Sequence, residues 1–310
     1  MYVENILQAV GHTPLVRLNH LSGPDSAEIL VKYEAVNVGG SIKTRTALNM
    51  VNDARARGFI HDDTIIVEPT SGNQGIGLAL VGAVTGIKVR IIMPDSVSEE
   101  RRKLIAHYGA ELVLVHDDGD IGRAVDECLQ TALRMQAEDP RVYVPQQFTN
   151  PANPQIHRDA TAREILDDLP GGSIDGFCSG VGTGGTLTGI GETLKEAFPG
   201  IEIWAVEPEN AAILSGGSIG THLQMGIGDG LIPDNLNTNI YTNICIITDE
   251  EAMETSRRLA LEEGLLCGIS SGTNVAAALK LAKKLGPGKR VVTVLPDTAE
   301  RYFSTPLFKG

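Results

Sequence analysis

Aromatic residues are scarce in this 310-residue chain: six Phe, six Tyr and one Trp make up 4% of it. Val, Ile, Leu and Ala must therefore fill the core. Positive charge is also in short supply, with 26 Lys plus Arg against 39 Asp plus Glu and a net charge of −13. That balance argues against a nucleic-acid or anionic-membrane partner, since both need surplus basic groups. It leaves room for a small anionic ligand, which needs only a local cluster of donors. The four cysteines (Cys128, Cys178, Cys245, Cys267) form no CxxC pair, and the seven histidines show no metal-type spacing. Neither a disulfide framework nor a bound metal is expected. Long apolar runs are missing too. Residues 75–87 form the longest uncharged apolar stretch of the first half, short of the ~20 residues a spanning helix needs. The start, Met1-Tyr2-Val3-Glu4, has no basic segment or apolar signal core. A cytoplasmic protein without membrane contact is the expectation.

What is present is ordinary globular material, 42% hydrophobic and 21% charged, long enough for about two domains. Short runs rich in β-branched residues predict strands at 29–33, 64–68, 88–93, 111–116, 174–179, 201–206 and 290–295. Amphipathic patterns between them predict helices at 43–57, 75–84, 99–108, 121–136, 187–197 and 249–263. Such alternation implies parallel strands with crossover helices, the α/β class. The Pro- and Asn-rich stretch Thr149–Pro154 reads as an internal linker near the midpoint, so a ligand cleft between two domains is expected.

Two glycine-rich turns each follow a predicted strand and open a helix: Glu68–Gly77 and Gly180–Thr186. Turns of this kind point backbone N–H groups at an anion, although a tight turn needing positive φ accounts for a lone example equally well. Thr183 and Thr186 add hydroxyls to the second, which suits a phosphate monoester. Gly180, Gly182 and Gly185 also satisfy GxGxxG, and Glu207 stands where a ribose acceptor would, so a nicotinamide enzyme is a rival reading of that turn. In Asn37–Arg45, Lys43 sits at a helix start, where the dipole disfavours a cation. A lysine held neutral as a Schiff base removes the objection, while a solvated lysine after a glycine turn is the plain alternative. Gly268-Ile269-Ser270-Ser271-Gly272 places hydroxyls at another turn-to-helix junction. A hydroxyl there could face a pyridine nitrogen, or simply cap the helix.

These motifs, with Gly11–Leu15, Gln147–Pro154 and Pro296–Tyr302, occur in one order along nearly the whole chain. In them the sequence resembles the cysteine synthase and cystathionine β-synthase family of pyridoxal-phosphate enzymes, the β-family of fold type II. The resemblance implies two three-layer α/β domains with mostly parallel sheets and the cofactor in the cleft between them. The smaller domain would comprise residues 1–11 and 36–150, and the larger 12–35 and 151–310. It makes Lys43 the Schiff-base lysine and the acid/base at Cα, and Asn73 the partner of the cofactor's phenolic oxygen. Gly182, Thr183, Gly184, Gly185 and Thr186 would hold the phosphate, and Ser270 would meet the ring nitrogen. Thr70, Ser71, Asn73 and Gln147 would receive the substrate carboxylate. The implied reaction is β-elimination or β-replacement at Cβ through an aminoacrylate intermediate, by a homodimer.

Departures from the usual family pattern bear on the substrate. Val38 and Thr44 stand in the lysine segment, and Gln74 replaces the threonine of TSGNTG, suggesting a reshaped substrate pocket or a re-anchored carboxylate. In Gly226-Ile227-Gly228-Asp229-Gly230, Asp229 replaces the alanine of GIGAGF. A solvated loop carboxylate is the plain reading. A carboxylate facing Cβ would instead repel hydrosulfide and deprotonate water. That favours L-cysteine plus water giving L-serine and hydrogen sulfide, as in a cysteine (hydroxyl) lyase. Synthesis of cysteine from O-acetyl-L-serine and sulfide is the alternative. A cystathionine β-synthase-like enzyme and a non-catalytic cofactor-binding module that engages a partner are the remaining readings. His12, His157 and Cys267 read as structural.

Overall fold

The computed structural model describes residues 2–70, 72–119 and 121–309, the side chains of 121 and 122 excepted. Its strands are β1 (Leu15–Arg17), β2 (Glu28–Tyr33), β3 (Ile65–Pro69), β4 (Lys88–Pro94), β5 (Glu111–Val115), β6 (Val142–Tyr143), β7 (Gly176–Gly180), β8 (Glu202–Pro208), β9 (Asn243–Ile247) and β10 (Arg290–Leu295). Six form a sheet in the order β1-β2-β10-β7-β8-β9, and four form a second in the order β5-β4-β3-β6. Every pairing is parallel except β1 with β2. The α/β class expected from the alternation of apolar runs is the observed one.

Of helices α1 (Lys43–Ala56), α2 (Asn73–Thr85), α3 (Glu99–His107), α4 (Ile121–Glu138), α5 (Ala152–Ile156), α6 (Ala162–Asp167), α7 (Gly185–Ala197), α8 (Asp249–Glu263) and α9 (Ile269–Leu285), α2, α3, α4, α7 and α9 pack on the two sheets, and α1, α5, α6 and α8 pack mainly on other helices. A π-turn over His157–Thr161 joins α5 to α6. Local chemistry sets several boundaries. Thr248 and Glu251 form a reciprocal capping box at the start of α8, and Gly264, in the left-handed region at φ 71°, ends it. β1 and β6, of three and two residues, are too short to show a period. α9 is buried over most of 269–282 and exposes its lysines, Lys280, Lys283 and Lys284, only toward its end. Among the described residues, no helix is long and apolar enough to cross a membrane.

The carboxyl ends of β3, β7 and β10 lead into the three motif segments, the usual place for a ligand in an open parallel sheet. The segment before α1 docks on the end of β10: the Ile42 N–H donates to the Pro296 carbonyl at 2.9 Å, and the Thr298 N–H to the Gly40 carbonyl at 3.2 Å.

A buried ionic network fixes the first turn of α1 from the other side. The Arg45 guanidinium donates to both oxygens of Glu34 (2.8 and 2.9 Å) and both oxygens of Glu164 (2.6 Å each). Thr13 and Asn37 complete the shell of Glu34, and Lys32 Nζ reaches Glu164 at 2.9 Å. Burial alone would raise the Glu164 carboxyl, but hydrogen bonds and charge from Arg45 and Lys32 bring it down to about 2. Because Arg45, Glu34 and Lys32 are essentially inaccessible to water, removing one member strands the others. Arg45→Ala is expected to lower unfolding free energy by about 3–5 kcal/mol in urea titrations. A loss below about 1 kcal/mol would rank the cluster with exposed pairs.

Candidate active site

Lys43, the first residue of α1, is set by backbone contacts on two sides. Gly39 and Gly40 adopt φ of 74° and 71°, and a Cβ on Gly40 would press on the Arg301 guanidinium. At Gly77 of α2 a Cβ would stand 3.1 Å from the Lys43 carbonyl oxygen, so the two helices approach closely only with glycine there. Burial lowers the proton affinity of Lys43, and the carboxylates of Asp229 and Asp297 partly offset this. A lysine so placed gives up its proton more readily than an exposed one.

Opposite it, the turn 182–184 leads into α7. Among the described residues, the N–H groups of 182–187 have no protein acceptor, and the next, Thr188, closes on the Gly184 carbonyl at 3.0 Å. Gly184 is left-handed (φ 79°), and a Cβ on Gly182 would overlap the Gly226 carbonyl oxygen. Asn153 Nδ2 donates to Thr183 Oγ1 at 2.9 Å. His157 lies against Thr186 Oγ1 through Nε2 and against Thr161 Oγ1 through Nδ1. Burial, with Arg45, Lys43 and Arg158 nearby, keeps His157 well below its ordinary value and therefore neutral. The Ser270 hydroxyl, buried in the first turn of α9, has no protein partner among the described residues. Glu207, the acidic residue of the rival dinucleotide pattern, is engaged elsewhere. It accepts the N–H groups of Leu214 and Ser215 and the Ser215 hydroxyl, closing its own turn.

On the substrate side, Asn73 begins α2. Its Nδ2 donates to Asp297 Oδ2 at 2.7 Å, and its Oδ1 accepts from Arg301. The Thr70 hydroxyl accepts the Gly72 N–H at 3.3 Å, and Ser71 lies outside the described residues. Gln74 requires a correction. Its side chain does not reach the cleft: Oε1 accepts from Thr46 at 2.8 Å, Nε2 faces Met50 Sδ, and the residue is 1% exposed. As the second residue of α2 it points into the seam with α1.

Gln147 is held by its main chain, with its N–H on Glu68 and its carbonyl receiving Asn153 and Asn235, each at 2.8 Å. Its side-chain amide is left without a protein partner among the described residues. Glu68, which the sequence reading passed over, takes the N–H groups of both Gln146 (φ 57°) and Gln147. The signal was available: a carboxylate near the end of an apolar strand must find donors.

Asp229 lies in the same cleft. Its carboxylate borders the Gly182 turn, where a Cβ on Gly182 would stand 3.3 Å from Oδ2. It is exposed to solvent although protein crowds its carboxyl. That crowding raises its proton affinity, against the opposing charges of Lys43 and His222. The Gly228 N–H donates to the Val181 carbonyl at 2.9 Å, and its carbonyl pairs with His222 at 3.1 Å, tying the loop to the turn. Asp229 thus stands beside the Gly182 turn and acts on Lys43, which also feels Asp297, the partner of Asn73.

A family model described as "Pyridoxal-phosphate dependent enzyme" matches residues 6–297. A cysteine synthase of Staphylococcus aureus is 49% identical over 306 residues, 99% of this chain and 97% of that one. Among solved structures, O-ureido-L-serine synthase, in a K43A mutant bound to O-ureido-L-serine, superposes with a TM-score of 0.94 at 41% identity, covering 100% of this chain and 95% of that one. A hydrogen sulfide-producing enzyme from Fusobacterium nucleatum gives 0.91 at 39% identity, over 97% and 98%.

The donor set fits pyridoxal phosphate. Free N–H groups at the start of α7 could take its phosphate, the Lys43 amine its aldehyde, and the unpartnered Ser270 hydroxyl its ring nitrogen.

Two measurements follow from this geometry. Gly182→Ala forces the 226–230 loop off the turn, at a cost of about 1–3 kcal/mol, so cofactor retention is expected to weaken about 10–100-fold in dialysis. Burial also pushes Glu68 up to about 7 from an ordinary 4.5. The folded protein therefore keeps this proton where the unfolded chain has lost it, and stability falls as pH rises between those values. Glu68→Gln lacks the titration, so its stability deficit against the parent is expected to shrink by on the order of 1–3 kcal/mol between pH 5 and pH 8. A deficit independent of pH would show that the carboxyl ionises normally.

Proposed function

We infer that this chain, which belongs to the pyridoxal-phosphate-dependent enzymes of the cysteine synthase family, replaces the Cβ substituent of L-cysteine with water to give L-serine and hydrogen sulfide. The observation that carries the reading is Asp229, a carboxylate bordering the Gly182 turn and sharing its field with Lys43. When bound, the cofactor withdraws electrons from the amino acid, so that a proton can leave Cα and a substituent can leave Cβ.

The remaining work falls to the protein. Lys43, its proton affinity lowered by burial, takes the Cα proton and later returns it. The Cβ–S bond breaks with its electron pair on sulfur, which leaves as hydrosulfide. Water forms the new C–O bond at Cβ and gives a proton to Asp229. A carboxylate made more basic by crowding is suited to that step, and its negative charge turns hydrosulfide away. Thr70, Ser71, Asn73 and the side-chain amide of Gln147 would receive the substrate carboxylate. The division into residues 1–11 with 36–150 and 12–35 with 151–310, and assembly as a homodimer, belong to the same proposal. The name of the hydrogen sulfide-producing enzyme at 39% identity supports this direction.

A second reading has its own observation. The Staphylococcus aureus relative at 49% identity is named cysteine synthase, which favours formation of L-cysteine from O-acetyl-L-serine and sulfide. Incubation with L-cysteine alone, quantifying sulfide, serine and pyruvate, separates the two. Equal amounts of sulfide and serine are expected, with Asp229→Asn cutting serine formation about 100-fold or more. Absence of sulfide, with rapid cysteine formation from O-acetyl-L-serine, would establish the second reading. An Asp229→Asn enzyme that makes serine at the parent rate would remove Asp229 from the mechanism.

A further inference from the structure

Asp297 follows the end of β10 and is completely buried. Its backbone and side chain together touch all three segments that frame the cofactor's ring. Its flanking residues bind the lysine segment, through Ile42 N–H to Pro296 O and Thr298 N–H to Gly40 O, and Ser41 forms an antiparallel bridge with Asp297 itself. Its own carbonyl accepts the Gly268 N–H at 3.0 Å, two residues before Ser270. Its Oδ2 accepts from Asn73 Nδ2 and from the Tyr302 hydroxyl, both at 2.7 Å, and Tyr302 lies beneath the Arg101 guanidinium, 5.0 Å from the ring centre. Oδ1 abuts Gly268 and has no hydrogen-bond partner among the described residues.

An asparagine amide can turn over, exchanging its oxygen and nitrogen, and at Asn73 that exchange would reverse what the cleft is offered. Here the two ends are bracketed by groups of opposite character. A carboxylate can only accept, so Nδ2 must face Asp297. A guanidinium can only donate, so Oδ1 must face Arg301. Turning the amide would set donor against donor and acceptor against acceptor. One Nδ2 hydrogen remains free after the bond to Asp297.

We propose that Asp297 is a positioning residue of the cofactor site, acting through Asn73 by fixing its amide with the free N–H toward the cofactor's phenolic oxygen. The inference concerns the cofactor alone and is independent of which nucleophile reaches Cβ. Its success or failure is therefore separate from that of the reaction proposed above.

The test is a double-variant cycle read on cofactor retention. Holoenzymes of the parent, Asp297→Ala, Asn73→Ala and the combined variant are diluted serially, and bound pyridoxal phosphate is followed by its absorbance. Asp297→Ala is expected to weaken retention about tenfold or more and to shift the absorbance maximum of the bound cofactor. In the Asn73→Ala background the same change is expected to alter retention less than about twofold and leave the maximum in place. Asp297→Asn, which keeps the shape but can also donate and so removes one of the two brackets on the Asn73 amide while Arg301 remains, provides the same cycle should the alanine variant fail to fold. Its expected loss is several-fold, again only while Asn73 is present. Undiminished loss in the absence of Asn73, or unchanged retention and spectrum in the single variants, would overturn the assignment.

Discussion

The guanidinium of Arg45 is the constraint on which the site depends. It carries a positive charge shared between Glu34, just past β2, and Glu164 of α6, and it projects from the first turn of the helix that begins with Lys43. Four short hydrogen bonds to two planar carboxylates define one orientation of that side chain, and with it one rotation of the helix start. Parallel pairing of β2 with β10 brings the chain's beginning and end to the same place. The lysine therefore stands at a junction of three distant stretches of sequence. Its address comes from tertiary structure rather than from the local turn.

Charge around that lysine is arranged with two opposing tendencies. Burial and the positive end of α1 disfavour an ammonium, while Asp229 and Asp297 favour it. Burial is the larger tendency, so this lysine gives up its proton more readily than an exposed one. The neighbours of the two carboxylates differ. Asp297 is closed off and tied to Asn73 and Tyr302, whereas Asp229 remains exposed. Residues of one type thus occupy a closed framework position and an exposed position beside the Gly182 turn.

Much of this was legible in the chain itself. Runs such as Ile65-Ile66-Val67 and Arg290–Leu295 announced strands because a parallel strand buried on both faces leaves an uninterrupted apolar signature. The glycine turns located the two helix starts, because close approach and left-handed φ restrict the residue type. What stayed hidden depended on partners far away in sequence. Gln74 looked like a pocket residue from its place in the loop, but the direction of its side chain was decided by α1 packing beside α2. Nothing in the sequence singles out the partners of Glu68 and Asp297, and only the fold shows that each gathers donors from a different segment. GxGxxG with Glu207 fitted a dinucleotide pattern until the turn at 214–215 was seen to claim that carboxylate.

The turn at 182–186 contains no lysine or arginine, and the imidazole behind it is neutral. Its hold on a phosphate would come from amide dipoles, hydroxyls and the end of a helix, inside a protein whose overall charge is strongly negative. Fixed dipoles in a recessed site are screened by dissolved ions far less than exposed charges are. Retention of the phosphate would therefore change little with ionic strength, while charged amino acids approaching from solution would feel every change in it.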